Sequence, residues 1–174
     1  MQLIYDFGIS PVQYYLNGQD NDFPLIERCP DCNDIMIKNG FYQRFIITVE
    51  GKSYLLFIRR YRCKHCNHTV SILPSFLLPL FQRSLKAIFK CLTDYFLYKS
   101  YFLNHRQVHI YCQRFCKNSP GIVSFFREKI NIMLTFKQEG KKKAIKLIKM
   151  IKDSPVPTFS RRFYNHFNKN FMAY

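Results

Sequence analysis

The sequence predicts an α+β fold, with a small β-hairpin module followed by a helical module. Three observations predict it. Two Cys-x-x-Cys pairs are separated by thirty residues. The residues between the pairs are rich in β-branched and aromatic side chains, as in paired strands. Beyond Pro79 the apolar residues recur at the spacing of amphipathic helices.

The four paired cysteines form a set of metal ligands. Each Cys-x-x-Cys turn brings two thiolates to one side of an ion, and zinc prefers four soft ligands in a tetrahedron. Two pairs at the ends of one hairpin complete that shell and leave no open coordination position, so the site is structural and not catalytic. We therefore predict a zinc ribbon with one structural Zn²⁺ ion, held by Cys29, Cys32, Cys63 and Cys66. Asn33 and Asn67 follow the pairs, where such a knuckle needs a residue tolerant of left-handed backbone.

The other candidate ligands are less suited to the ion. A thioredoxin-like redox pair is disfavoured because neither pair lies in a βαβ pattern. His65 and His68 are able to substitute as ligands, but four cysteines make that unnecessary, and we interpret both as surface histidines near phosphate. The other three cysteines lie on predicted apolar helix faces and are interpreted as core thiols. They are Cys91, Cys112 and Cys116.

Strands and turns are expected in the first half of the chain. Phe41–Val49 and Lys52–Arg60 have strand composition, and Gly51 is free to take a positive φ in the turn between them. Residues 1–28 contain too many Gly, Pro and Asn residues for a long helix. The expected segments are an arm (1–28), a zinc ribbon (29–80), a helix-turn-helix region (81–138) and a basic helix with an aromatic tail (139–174).

The charge of the chain favours a polyanionic partner. The net charge is +16, from 27 basic and 11 acidic side chains. Nucleic acid is the first expectation and an anionic membrane the second.

Met1–Tyr15 lacks the basic start and cleavage site of a secretory signal, and no apolar run reaches the length of a membrane span. We expect a cytoplasmic protein, associated with the nucleoid if it binds DNA, in which thiols stay reduced.

A helix-turn-helix is predicted after the ribbon. Ser84 precedes a first apolar helical pattern. The sequence then predicts two helices, Arg106–Cys116 and Pro120–Leu134. They are joined by the three-residue turn Lys117–Ser119, in which Asn118 takes the left-handed conformation. The alternative is an ordinary helical hairpin with a solvated outer face.

The second of these helices has a polar face suited to reading base edges. Its side chains are Ser124, Arg127, Glu128 and Asn131. Basic residues around it are expected to contact phosphates and fix the register. They are Arg106, Arg114, Lys117 and Lys129.

A fourth helix is predicted over Lys141–Lys152, with a basic stripe opposite an apolar face. The stripe consists of Lys142, Lys143, Lys146 and Lys149. Such helices also lie on membranes, but this one lacks a bulky aromatic anchor, so we favour the phosphate backbone. Arg161 and Arg162 extend that contact unless the aromatic tail packs on the core; its aromatic residues are Phe163, Tyr164 and Phe167.

The ribbon and the residues after it resemble a family of small bacterial proteins similar to the zinc-ribbon N-terminal regions of transposases. The matching residues are Cys29-Pro-x-Cys32, Gly40-x-Tyr42-x-Arg44, Ile58-x-Arg60-x-Arg62-Cys63-x-x-Cys66, Thr69 and Leu73-Pro-Ser-Phe-Leu-x-Pro79. In transposases this region binds the DNA ends of the element, and a separate acidic nuclease domain cuts. The resemblance, which covers residues 29–80 well, implies DNA binding without strand transfer.

Together these inferences predict a non-enzymatic, zinc-dependent protein that binds double-stranded DNA. It would act as an accessory factor of a mobile element or as a transcriptional regulator. The alternative is an assembly factor whose ribbon and tail bind a protein partner or RNA. A nuclease is disfavoured because the acidic residues are not set on alternating strands as a metal-binding catalytic site requires.

Overall fold

The structure is a computed structural model that describes residues 1–130 and 140–173. It contains two compact units, Met1–Ser84 and Leu85–Tyr174. All strands of the described residues lie in the first unit, and the second unit is helical. The predicted α+β class is therefore confirmed. No described helix is both long enough and apolar enough to cross a bilayer.

The bounds of the elements are as follows. The strands are β1 (Gln2–Tyr5), β2 (Met36–Ile47), β3 (Ser53–Cys63) and β4 (Thr69–Pro74). The helices are α1 (Pro11–Asn17), α2 (Leu85–Thr93), α3 (His105–Ile130), α4 (Lys141–Lys152) and α5 (Val156–Phe167). A 3₁₀ turn (Gly18–Asp20) follows α1, and a π-helical turn (Asp94–Tyr98) follows α2.

The four strands form one sheet in the order β1-β4-β3-β2. The predicted hairpin is present as the antiparallel pair β2–β3, and Gly51 in its turn has a φ of 76°. The pairing register shifts between Lys38 and Phe41, where Gly40 takes a φ of 68°. Strand β4 pairs with β3 antiparallel and with β1 parallel, so residues near the N-terminus complete the sheet.

Residues 1–28, expected to be an arm, supply β1 and α1 to the first unit. Two buried tyrosines attach this segment to the sheet. The Tyr14 hydroxyl donates to the carbonyl of Phe57 at 2.8 Å, and the Tyr61 hydroxyl donates to the carbonyl of Pro24 at 2.9 Å. Both of these tyrosine hydroxyls therefore have a partner, which removes the cost of burying them unpaired.

The core of the second unit is aromatic. Rings from α3, α5 and the C-terminal segment pack with centroid separations of 5.3–6.5 Å. They belong to Phe115, Phe125, Phe126, Phe159, Phe163 and Phe171. Helix α4 spans the predicted residues, and its apolar face is buried. Phe163 is thus part of the core and is not available to extend a nucleic-acid contact.

The predicted turn at Lys117–Ser119 is wrong. Helix α3 is continuous from His105 to Ile130, with Pro120 inside it. Asn118 is helical, and its side-chain amide donates to the carbonyls of Arg114 at 2.9 Å and Ala173 at 2.5 Å. The predicted helix-turn-helix over these residues is therefore a single helix.

The physical reason is the apolar stripe, which keeps its phase through the predicted turn. The buried positions are spaced alternately by four and three residues, as one straight helix requires. They are Val108, Cys112, Phe115, Ser119, Ile122 and Phe126. The side chain of Pro120 is exposed, so Pro120 lies on the solvent side of the helix. Water can replace the backbone hydrogen bond that proline cannot make there. Burial of the whole stripe outweighs the local turn signal.

Replacing Pro120 by alanine is expected to stabilise the protein by about 1–3 kcal/mol, because alanine restores the backbone donor that proline lacks inside a helix. Urea unfolding of the metal-loaded protein measures the difference. Pro157→Ala is the matched control, since Pro157 occupies the first turn of α5, where its missing N–H has no helical partner. A neutral or destabilising effect of Pro120→Ala would instead indicate a helix that begins at Pro120.

Candidate metal centre and nucleic-acid interface

The four paired cysteines converge on one point. Their Sγ atoms all lie within 4.8 Å of one another. The Sγ atom of Cys32 is 3.4 Å from those of Cys63 and Cys66, and Cys29 Sγ is 3.5 Å from Cys66 Sγ. A Zn–S bond of about 2.3 Å implies sulfurs about 3.8 Å apart in a tetrahedron. The cluster therefore fits one tetrahedral metal ion such as zinc, with no further ligand needed.

Two similar turns position these thiols, one before β2 and one after β3. In the first turn, the N–H of Cys29 donates to the carbonyl of Asp34 at 2.8 Å. In the second, the N–H of Cys63 donates to the carbonyl of His68, also at 2.8 Å. Asn33 and Asn67 take φ values of 59° and 61°. The predicted left-handed asparagines are thus confirmed, and they turn the chain back after each pair.

Backbone amides favour the thiolate form at the cluster. Burial raises the pKa of Cys63, but the N–H groups of Cys66 and His65 and the Cys32 thiol outweigh it and bring this pKa to about 7. The Asp34 N–H likewise lowers the pKa of Cys32, although burial and the neighbouring thiols leave it raised overall. Four thiolates in contact repel one another, so a cation is required for all of them to ionise together.

Polar contacts outside the cluster tie the two turns together. His68 Nδ1 lies 2.5 Å from Asp31 Oδ2, which joins the second turn to the first. Arg62 donates from Nε and Nη2 to Asn67 Oδ1, at 3.2 and 2.9 Å. His65 is exposed. Contacts of this kind orient metal ligands and improve metal affinity.

The cluster is half-open to water. Cys29 and Cys63 are buried, whereas Cys32 and Cys66 are exposed. The buried pair packs with Met36, Tyr61 and Val70 in the apolar cluster beneath.

The remaining cysteines belong to the second unit, where Cys91 and Cys112 are buried, as predicted, and Cys116 is partly buried. Burial and the neighbouring thiols raise the pKa of Cys112 to about 12, so it is a core thiol without thiolate character.

Three of the four predicted base-reading residues lie on α3, and two of these three have partners within the protein. Ser124 Oγ donates to Glu128 Oε1 at 2.5 Å, and Glu128 Oε2 lies 2.7 Å from His166 Nε2. These contacts lower the pKa of Glu128. Arg127 is exposed, and Asn131 lies outside the described residues. The Glu128–His166 contact attaches α5 to α3, which reduces the suitability of this carboxylate for reading a base.

Two shallow grooves flank this part of α3. The groove on the α4 side is lined by Pro120, Val123, Ser124, Arg127 and Lys143. The groove on the α5 side is lined by Phe125, Lys129, Arg162, Asn165 and His166. Both contain basic side chains from two helices. Sequence reasoning missed Asn165 and His166, although His166 follows Arg162 at the i,i+4 spacing that places both on one face of α5.

The other predicted phosphate-contacting residues are spread along the helices. Arg106 and Lys117 are exposed on α3, and Arg114 is partly buried. Because α3 is continuous, Arg106 and Arg127 are separated by about 30 Å of helix. Of the four lysines of the predicted stripe on α4, three are exposed and Lys143 is partly buried. The exposed three are Lys142, Lys146 and Lys149.

A family model matches part of the chain. Residues 29–102 match a domain of unknown function, DUF6431. The matched segment begins at the first cysteine of the cluster, includes the second pair and ends in the loop before α3. No curated protein and no solved structure matches the chain. The family match therefore contains the four-cysteine cluster but assigns no activity.

Proposed function

We propose that this chain is a DNA-binding protein, with its first unit stabilised by one structural zinc ion and its second unit in contact with duplex DNA. The observation that supports DNA binding is the division of charge between the units. Residues 1–84 contain nine basic and seven acidic side chains, whereas residues 85–174 contain eighteen and four. The net charges are thus +2 and +14. A helical unit so strongly basic attracts phosphates through counterion release.

Helix α4 provides the densest basic surface. Six of its twelve residues are lysine, and its apolar side is buried on Ala144, Leu147, Ile148 and Ile151. Burial of this side fixes the orientation of the helix, so that exposed lysines such as Lys142 and Lys149 lie on its solvent side. Lysine suits this role because its ammonium binds a phosphate as a point charge without demanding one geometry.

The two grooves beside α3 extend the basic surface. Arg127 and Lys143 line one groove, and Lys129 and Arg162 line the other. The carboxylate of Glu128 lies nearby, but its contacts with Ser124 and His166 reduce its repulsion of a phosphate. Arg127 is the best candidate for a base contact, because its guanidinium matches the acceptors of guanine.

Zinc is the metal that suits the cysteine cluster best. Four thiolates form a soft ligand set, which selects zinc over magnesium or calcium. The set fills a tetrahedral shell, so the ion would hold the two turns together without binding substrate. Use of the protein by a mobile element, or as a transcriptional regulator, is a prediction supported only by the resemblance of residues 29–80.

Neutralising two lysines of α4 tests the proposal. Lys142→Gln with Lys149→Gln is expected to weaken duplex binding about 60-fold at 0.1 M salt, from about 8-fold for each lost phosphate contact. Lys38→Gln with Lys52→Gln is the matched control in the first unit, where both side chains are exposed. Fluorescence anisotropy with several unrelated duplexes measures the affinities.

The pattern of loss identifies the kind of contact. Phosphate contacts predict an equal loss for every duplex sequence, because the backbone is the same in all of them. Equal affinities of the α4 double variant and the control for all duplexes would contradict the proposal. Absence of duplex binding by the wild-type protein at low salt would contradict it outright.

A further inference from the structure

A second feature of the helical unit is not explained by duplex binding. Aromatic rings and lysines alternate around the π-helical turn Asp94–Tyr98 and the adjacent loop. We call this the aromatic–lysine surface, and its residues are Tyr95, Tyr98, Tyr101, Lys99, Lys141 and Lys152. All lie among the described residues of the second unit. Tyr98 is 60% exposed and Tyr101 is 53% exposed, which is unusual for rings grouped in this way.

Ammonium groups lie over the tyrosine rings. Lys141 Nζ is 5.1 Å from the ring centroid of Tyr95, and Lys152 Nζ is 5.9 Å from that of Tyr98. Lys152 Nζ also lies 3.4 Å from the hydroxyl of Tyr98. The two lysines lie at opposite ends of α4, about 16 Å apart along the helix axis. The two rings that they cover are three residues apart in the π-helical turn.

The loop continues the row of rings. The ring of Tyr101 lies 6.0 Å from that of Tyr95 and 4.2 Å from that of His105. Lys99 lies between Tyr98 and this loop and has a φ of 54°, in the left-handed region that a lysine seldom occupies. Its backbone N–H closes the π-helical turn on the carbonyl of Asp94. Turns of this kind are frequent at functional sites, because the extra residue changes the direction of the side chains after it.

We propose that the aromatic–lysine surface binds an unpaired stretch of DNA. Exposed rings stack on bases of any sequence, and the lysines between them suit the phosphates that follow each base. A duplex cannot use the rings in this way, because its bases are already stacked. The choice of DNA over RNA rests on the proposed function, whereas the requirement for unpaired bases comes from the rings themselves.

Charge distinguishes this occupant from an apolar protein partner. Asp94 begins the same π-helical turn, but its carboxylate is paired with Lys90 at 2.7 Å. The three lysines of the surface therefore make it strongly basic, and an apolar partner would have to bury their ammonium groups at considerable cost. A polyanion with flat apolar faces can stack on the rings and pair with the ammonium groups at the same time.

Binding of a twelve-nucleotide oligodeoxythymidylate tests the inference. Each of Tyr98→Ala and Tyr101→Ala is expected to weaken binding of this single strand about 5- to 150-fold, the range that loss of one stacked base produces. Tyr98→Phe is expected to stay within about 3-fold of wild type, because it keeps the ring. Duplex affinity of all three variants is expected to stay close to that of wild type.

Tyr15→Ala is the matched control, since Tyr15 is an exposed tyrosine of the first unit. Thermal unfolding of each variant shows that the fold is intact. Single-strand affinities of Tyr98→Ala and Tyr101→Ala equal to wild type, or an equal loss from Tyr15→Ala, would overturn the inference. An equal loss of duplex binding from the tyrosine variants would overturn it as well. Failure of wild-type duplex binding alone would instead overturn the proposed function and leave ring-dependent single-strand binding standing.

Discussion

Replacement of Cys66 by serine is expected to abolish zinc binding and to unfold the first unit, Met1–Ser84. A four-thiolate zinc site contributes on the order of 10–16 kcal/mol of apparent binding free energy at neutral pH, and this energy is available only to the folded chain. A domain of this size has a net stability of about 5–15 kcal/mol. Loss of one ligand removes a large part of the metal contribution, so the remaining stability of the unit is close to zero or negative.

Cys66 suits this test because its side chain, like that of Cys32, is exposed. Replacing it removes a ligand with little loss of packing, whereas Cys63 is buried in the apolar cluster and its replacement would mix both effects. Cys116→Ser is the matched control, since this thiol lies in the second unit, apart from the cluster. The control should keep one zinc ion per chain and the unfolding free energy of the wild type to within about 1 kcal/mol.

Elemental analysis of the purified protein measures zinc, and far-UV circular dichroism with urea unfolding measures the fold. Chelation of the wild-type protein should reproduce the effect of Cys66→Ser, because the two exposed thiols leave the ion accessible. A wild-type protein without zinc, or a Cys66→Ser variant with full zinc content and unchanged stability, would contradict a structural metal site.

The cysteine cluster and the hairpin were predictable because their signals are local. Two Cys-x-x-Cys turns fix the ligands by spacing, and the asparagines after them report a left-handed backbone within a few residues of each pair. Helix α4 was predictable for the same reason, since its lysines and apolar residues alternate with a single helical period. In each case the residues that determine the structure lie within one element or one turn.

The parallel pairing of β1 with β4 was not predictable in this way. It joins Gln2 to Ser71, and no local pattern marks two strands so far apart as neighbours. The packing of residues 1–28 depends on the same kind of distant contact, because the Tyr14 hydroxyl finds its acceptor on β3. These contacts form only when the sheet is assembled.

The prediction of a helix-turn-helix is wrong because the local turn signal conflicts with the longer apolar pattern of the helix. Asn118, Ser119 and Pro120 are good turn residues, and taken by themselves they indicate a helix boundary. The apolar stripe on both sides of them has one continuous phase, which a turn near a right angle would break. Tracking that phase through Ser119 would have identified the single helix from the sequence. Contact of Glu128 with His166, 38 residues away, had no comparable signal.

Duplex affinity is expected to fall by about 10³–10⁵ between 50 and 200 mM salt, as six to ten phosphate contacts require. The second unit offers enough exposed basic residues for that number, along α3, α4 and α5. They include Arg106, Lys117, Arg127, Lys129, Lys142, Lys146, Lys149 and Arg162. A plot of log affinity against log salt should have a slope of about −0.9 for each phosphate contacted.

The salt slope also separates the proposed function from its alternative. Binding of a protein partner depends much less on salt, because short-range packing and hydrogen bonds dominate it. The Lys142→Gln, Lys149→Gln double variant should reduce the magnitude of the duplex slope by about 2, whereas the Lys38→Gln, Lys52→Gln control should leave it unchanged. A wild-type slope shallower than about −2 would mean too few phosphate contacts for a backbone interface, and the charge of the second unit would then need another explanation.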